Sequence, residues 1–152
     1  MEQRYSVRRL RAADLPRIEQ IERASFGAEA YDRKLFAEFH HTCGDLFLVV
    51  ERSGRICGYG ITCLRAGSAR AELVSIAVEP AARRKGAASA LLASTVRRLR
   101  LRRTARLGLM VKVTNRRAQR FYAKYGFVKT RRVKRYYEDG RDGILMTKDL
   151  RP

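Results

Sequence analysis

Residues Ser75–Leu92, SIAVEPAARRKGAASALL, read as a short apolar strand, a basic turn with one glycine and the start of a helix. That order dictates a chemistry. The first main-chain N–H groups of a helix have no intrahelical acceptor, and the helix dipole adds positive potential at the same end. With Arg83, Arg84 and Lys85 in the turn and the N–H groups of Arg84 through Ala88 at the helix start, the stretch is a built-in anion site suited to a pyrophosphate. The glycine pattern matches neither G-x-G-x-x-G nor G-x-x-x-x-G-K-S/T, so neither a dinucleotide-binding fold nor a P-loop is supported.

Upstream of this stretch, Tyr5 to Arg8 read as a short strand, and Asp14 is positioned to cap a helix whose Leu15, Ile18 and Ile21 keep one apolar side until Phe26-Gly27 ends it. A second helix is expected from near Asp32 to His40, with Leu35, Phe36 and Phe39 inward. Leu46 to Glu51, Arg55 to Leu64 and Ala69 to Val78 read as a meander of antiparallel strands, broken at Ser53-Gly54 and at Ala66-Gly67-Ser68. Downstream, Leu92, Val96 and Leu99 repeat at helical spacing, predicting a helix from about Gly86 to Arg103 with one buried face and a basic last turn. Leu107 to Val113 alternate as a strand, Arg116 to Tyr125 form a helix closed by Gly126, and Phe127 to Tyr137 and Ile144 to Asp149 supply two final strands joined across Asp139-Gly140. The result is an α/β protein with a mixed, mostly antiparallel sheet and no internal repeat, linker or domain boundary.

At 152 residues and 45% hydrophobic content the chain suits one globular domain with an ordinary core. No apolar run approaches the roughly 20 residues that span a bilayer, and MEQRYSVRRLRAADLPR has no apolar leader core, which predicts a cytoplasmic protein without a membrane partner. Cys43, Cys57 and Cys63 are odd in number and lack C-x-x-C spacing, so free, partly buried thiols are expected rather than a disulfide framework. His40, His41 and Cys43 lack a fourth ligand at sensible spacing, so no metal is expected. The formal charge of +19 points toward anionic partners. Arginine doublets are scattered along the chain, however, and ordered aromatic-basic signatures of nucleic-acid modules are absent. The charge remains compatible with docking near ribosomal RNA.

Three blocks in order resemble the GNAT superfamily of N-acetyltransferases. The turn Arg83-Arg84-Lys85-Gly86-Ala87-Ala88 is similar to its coenzyme-A loop, Q/R-x-x-G-x-G/A, and Asn115-x-x-Ala118-x-x-x-Tyr122-x-x-x-Gly126-Phe127 follows at the family's spacing. The third block, Tyr136-Tyr137-Glu138-Asp139-Gly140-x-Asp142-x-x-x-Met146, resembles the branch that acetylates protein N-termini, the RimI-like enzymes and their relatives. The resemblance spans Glu72 to Leu150 and is loose over the first seventy residues. It implies the GNAT fold, with a central sheet of about seven strands and about four helices, and acetyl-coenzyme A as cosubstrate. It further implies that the main chain of Ile76, Ala77 and Val78 pairs with the pantetheine arm, which requires the sheet to splay beside the following strand. Residues Arg83 to Ala88 would hold the pyrophosphate, and Asn115 and Tyr122 would complete the cofactor site. Asn115 is equally accounted for as a helix cap.

Acetyl transfer to an amine needs a held thioester, a deprotonated amine, a donor to the carbonyl oxygen and a proton for the leaving thiolate. Tyr122 matches the family tyrosine near the coenzyme sulfur and suits the last task; packing with Phe121 and Tyr125 is the alternative. The base departs from the RimI-like pattern. Where those enzymes read L-E-V-R, this chain reads Leu109-Met110-Val111-Lys112, and methionine accepts no proton. A second family position for a base falls on Glu72, on the same strand face as Val74 and Ile76; pairing with an arginine such as Arg70 is its alternative. Tyr136 and Tyr137 match paired tyrosines that hold the substrate backbone, or else pack within a strand. Phe26 and Tyr31 occupy the region lining the first-residue pocket.

The expected activity is therefore transfer of acetyl to a protein or peptide α-amino terminus, a ribosomal protein being one such acceptor, by a monomer or weak dimer. Three other readings stay open: a lysine or small-amine acetyltransferase, an acetyltransferase acting on aminoacyl-tRNA, and a non-catalytic coenzyme-A-binding module. The cationic surface makes free polyamines poor substrates.

Overall fold

The computed structural model describes residues 4–152. Its strands are β1 (Ser6–Arg9), β2 (Phe47–Arg52), β3 (Arg55–Leu64), β4 (Arg70–Val78), β5 (Arg106–Lys112), β6 (Val128–Val133) and β7 (Gly143–Asp149). Its helices are α1 (Leu15–Phe26), α2 (Arg33–Cys43), α3 (Ala87–Leu101) and α4 (Arg116–Lys124). The strands form one sheet in the order β1-β2-β3-β4-β5-β7-β6, in which β4 and β5 are parallel while β1 with β2, β2 with β3, β5 with β7 and β6 with β7 are antiparallel. The mixed, mostly antiparallel α/β architecture read from the sequence is the one observed. By contacts the chain divides into two units, Met1–Cys63 with Ser75–Arg98 and Leu64–Val74 with Leu99–Pro152. No helix among the described residues is long and apolar enough to cross a membrane.

In the first unit, β2 and β3 are joined by Ser53 and Gly54 with φ of 52° and 76°. Two successive positive φ values are what a two-residue hairpin turn matched to strand twist requires. Helix α1 begins with Pro16 in its first turn and turns Ile18, Ile21 and Glu22 inward. Asp14 stands just before α1, yet its carboxylate makes no cap there: it accepts from Arg11 N at 2.7 Å and from both terminal nitrogens of Arg8 at 2.7 and 3.0 Å. Helix α2 is capped as expected, Leu35 N donating to Asp32 Oδ1 at 2.8 Å. Its Phe36 meets Phe47 and Tyr59 with ring centroids 6.2 and 5.6 Å away, and all three are fully buried. A second cluster gathers Leu48, Val50, Cys57, Val78, Ala87 and Leu91.

Two of the three cysteines are not the free thiols expected. Cys43, ending α2, and Cys63, near the end of β3, form a disulfide with Cα atoms 5.1 Å apart; only Cys57 is free, and it is buried. Twenty residues separate the pair in sequence, so nothing in their local spacing announced that the fold would bring them together.

In the second unit, β5 alternates as predicted, with Leu107, Leu109 and Val111 buried. Gly126 closes α4 at φ 92°, and a Cβ there would lie 2.7 Å from Lys148 Nζ, which itself donates to Tyr125 O at 2.8 Å. The expected strand over Phe127–Tyr137 is shorter: β6 stops at Val133, and Arg135 takes φ 52°, which breaks extended backbone. Tyr136 and Tyr137 therefore sit in the connecting loop and not in a strand.

Closing a loop of this length is expected to add about 3 kcal/mol, so Cys63→Ser should lower the unfolding free energy in urea by roughly that amount. Thiol titration should find no fast-reacting group in the native protein, one in denaturant and three in denaturant with reductant. A reactive thiol in the native protein would contradict the assignment.

Candidate active site

In the first unit, the turn after β4 opens α3 as the sequence predicts. The earliest helical bond at this end is Ala90 N–H to Gly86 O at 3.0 Å, so the N–H groups of the turn and of Ala87 and Ala88 precede the helical ladder. Arg84 and Gly86 take φ of 62° and 97°, and the side chains of Arg84 and Lys85 are exposed. Beside Gly86 lies the ring of Tyr5, 3.7 Å from where a Cβ would stand, and the Tyr5 hydroxyl is buried with no hydrogen-bond partner among the described residues. Forward N–H groups, two free cations and an orphaned hydroxyl fit a diphosphate.

Arg83 is used differently. Its Nε donates to Val78 O at 3.1 Å and its Nη2 to Ser25 Oγ at 3.3 Å, tying the turn to the end of β4 and to the last turn of α1. Phe26, 42% exposed, follows Ser25 directly. Tyr31 is half-buried and packs on Phe36 and Phe39 at 5.8 and 5.9 Å. Along β4, Ala77 and Val78 are buried and Ile76 half-buried against the second core cluster. A Cβ on Gly58 of β3 would lie 2.8 Å from Ala77 O, so only glycine permits that approach of the two strands.

In the second unit, the parallel ladder of β4 on β5 runs Arg70↔Arg106, Ala71↔Leu107 and Glu72↔Gly108 and ends there. The register puts Glu72 on the sheet face that carries Gly108, Met110 and Lys112. Its half-buried carboxylate has no ion pair or hydrogen bond among the described residues, so the pairing with Arg70 is not formed. Lys112 is engaged with Asp139 at 3.0 Å and lies 5.2 Å from the Tyr137 ring centre. Met110 runs toward Gly143, where a Cβ would stand 2.6 Å from its methyl and 3.2 Å from Tyr136 Cβ.

Tyr136 and Tyr137 meet edge to face at 5.0 Å, Tyr136 exposed and Tyr137 half-buried. Their loop is stapled by two carboxylates. Asp139 accepts from Arg141 N and Lys112, which hold it down to about 2, and Asp142 accepts from Arg135 N and Arg132 Nε, which lower it too. Asn115 caps α4, Ala118 N donating to its Oδ1 at 3.1 Å. Buried Gln119, not singled out by the sequence reading, fixes the β5–α4 turn by donating to Lys112 O and Val113 O at 3.0 Å each. Tyr122 packs on Phe127 and Phe121 at 5.5 and 5.3 Å. Burial, then the nearby Tyr137 phenol, raises its hydroxyl above the ordinary tyrosine range, so it stays protonated and able to donate at neutral pH.

One group escaped the sequence reading altogether. Glu22, 1% exposed, receives the Tyr59 hydroxyl at 2.7 Å from each carboxylate oxygen, and Tyr59 lies 3.4 Å from Ser75 Oγ on β4. Burial without a cation pushes this carboxyl up to about 7, only partly opposed by the Tyr59 bond. The available signal was its place four residues after Ile18 and next to Ile21, on the inward face of α1.

With this geometry in view, comparisons with known proteins are specific. The sequence model of the acetyltransferase (GNAT) family matches residues 14–127. An N-alpha-acetyltransferase of Sulfolobus acidocaldarius is 29% identical over 96% of this chain and 93% of its own. Ard1 from Thermoplasma volcanium superposes with a TM-score of 0.91 at 26% identity, covering 97% of this chain and 99% of that one. The ribosomal-protein-S18-alanine N-acetyltransferase of Escherichia coli superposes with a TM-score of 0.85 at 28% identity, covering 98% and 96%.

A carboxyl whose folded-state pKa is raised from 4.5 to about 7 favours the folded state fully below the lower value and loses that contribution as pH climbs through the upper one. Glu22→Gln should therefore match the wild type near pH 4.5 and exceed its stability at pH 8 by on the order of 2–3 kcal/mol, read from urea unfolding at the two pH values. Parallel stability–pH curves would mean that Glu22 has the same pKa in the folded and unfolded protein and would overturn this expectation.

Proposed function

The chain belongs to the acetyltransferase (GNAT) family of acetyl-coenzyme-A-dependent acyltransferases, and on that premise we propose that it acetylates the α-amino terminus of proteins, ribosomal proteins among them. The observation that carries this choice of acceptor is the Tyr136–Tyr137 pair, presented on a loop that Asp139 and Asp142 hold in place. Two phenols on a fixed loop suit main-chain groups of an extended peptide better than the tip of a flexible lysine.

The proposed roles follow from the parts. Arg84, Lys85 and the N–H groups through Ala88 bind the pyrophosphate, with Arg83 holding the turn to β4. The main chain of Ile76 to Val78 pairs with the pantetheine amides, a reading supported by the end of the β4–β5 ladder at Glu72. Asn115 caps α4 through Oδ1, which leaves its amide NH₂ for the same arm. Phe26 and Tyr31 line the first-residue pocket, and Tyr136 and Tyr137 hold the acceptor backbone.

In the reaction the amine nitrogen forms a bond to the thioester carbonyl carbon and the C–S bond breaks. Glu72, which has no competing partner, takes the ammonium proton directly or through water, and Tyr122 returns a proton to the thiolate. The reading takes residues 1–152 as one catalytic domain, cytoplasmic, acting as a monomer or weak dimer.

Purified protein given acetyl-coenzyme A with N-terminally free peptides and N-terminally blocked, lysine-containing peptides should label only the free α-amines, as located by mass spectrometry. Label confined to lysine would replace this acceptor class, and cofactor binding without label on any amine would remove the activity. Glu72→Gln and Tyr122→Phe should each lower kcat about 100-fold, Glu72→Gln with the KM for acetyl-coenzyme A unchanged. An unaffected rate takes that residue out of the mechanism.

A further inference from the structure

The excess charge of this chain is not spread evenly. Residues 80–137 contain nineteen Lys and Arg and no Asp or Glu, while the remainder holds fifteen of each, so the whole formal charge of +19 arises in this stretch. Part of it, Arg83 to Lys85, belongs to the turn already described. Helix α4 is not accounted for in that way.

Arg116, Arg120, Lys124 and Arg117 lie within an arc of about 100° on α4, and the first three follow one another every four residues, about 6 Å apart along the axis. All four are exposed. The side chains of Arg116, Arg117 and Arg120 make no ion pair or hydrogen bond among the described residues, and Lys124 only overlies the Tyr125 ring at 5.7 Å. This arrangement works against the helix that carries it. Two arginines occupy the first turn, where the dipole disfavours cations, and each four-residue step places like charges together. The same unit carries the edge strand β6, whose Lys129 and Arg131 are also exposed and without an ion pair.

We propose that the cationic face of α4 is a docking surface for the phosphate backbone of RNA. A linear row of charges suits a polyanion and not a single bound anion. Arginine predominates in it, and the planar guanidinium pairs with phosphate oxygens in a bidentate fashion. No apolar residue shares the arc, as insertion into a lipid surface would need. The choice of RNA over DNA rests on the α-amino acetyl-transfer reading, under which ribosomal proteins, whose own partner is RNA, are among the acceptors. Contact would be independent of sequence and steeply dependent on salt.

Fluorescence anisotropy with a short labelled single-stranded RNA tests it, comparing wild type, Arg116→Gln/Arg120→Gln/Lys124→Gln and a control of equal charge, Arg4→Gln/Lys34→Gln/Arg65→Gln. The α4 variant should lose at least about tenfold in affinity at 100 mM salt, and its slope of log K against log salt should fall by about 2, while the control stays near wild type. Equal losses in both variants would reduce the effect to diffuse net charge and overturn the proposal. So would absence of RNA binding, or an RNA affinity that does not fall as salt rises. Removing like-charge contacts should leave the melting temperature unchanged or raised, so a lowered one with weaker binding would assign the loss to damage. Peptide acetylation is measured alongside: activity retained without RNA binding sinks this inference alone, whereas RNA binding without acetylation sinks the reading of the active site.

Discussion

The main chain of β4 carries the constraint on which the rest of this molecule depends. For three residues it pairs in parallel with β5, and after Glu72 that ladder ends while the strand runs on to Val78. On its other side β3 lies so close at Ala77 that only Gly58 can occupy the facing position. Peptide groups of a buried strand need partners, and a strand fixed on one side cannot shift to find them. Arg83 supplies one for Val78 O, and the same side chain sets where the basic turn begins and hence where α3 starts. The basic turn proposed to hold the pyrophosphate is thus tied to the end of β4 and is not an independent loop.

Features written over a few adjacent residues were legible without coordinates. The Ser53-Gly54 turn, the stop of α4 at Gly126, the alternation of β5 and the turn into α3 each follow from local conformational preference, and each is present. The first two family blocks also fell on the expected elements, because they record main-chain geometry, whereas the Tyr136-Tyr137 of the third fell in a loop beyond the end of β6. Three features resisted for physical reasons. The Cys43–Cys63 bond depends on two elements meeting in space. The end of β6 depends on a non-glycine residue, Arg135, held at positive φ by its N–H bond to Asp142, a state that propensity argues against. Glu22 reads as a surface acid until Tyr59, thirty-seven residues away in sequence, supplies both of its carboxylate oxygens with a donor.

Position 110 shows how one departure from a family pattern is absorbed. The Met110 methyl occupies the space left by the missing side chain of Gly143, a place that the Tyr136 side chain also borders. A carboxylate there would face the same crowded pocket. In the proposed reaction the proton then leaves by another route, and Glu72 is the acid that the β4–β5 register sets on the same face without a partner among the described residues.

The charge distribution bears on the same proton. A strongly positive chain lowers the pKa of an approaching α-ammonium, whose ordinary value is near 8, and so enlarges the neutral fraction able to attack a thioester. Under the proposed reaction this field does part of what a base does, which lessens the demand on Glu72. The same field repels cationic acceptors before they dock. Acceptors bearing acidic residues near the terminus gain on both counts, since the chain attracts them and still favours their neutral amine, whereas lysine-rich termini gain in reactivity what they lose in encounter. Under the proposed reaction, acceptor choice is therefore set by the potential around the site as much as by the pocket proposed for Phe26 and Tyr31.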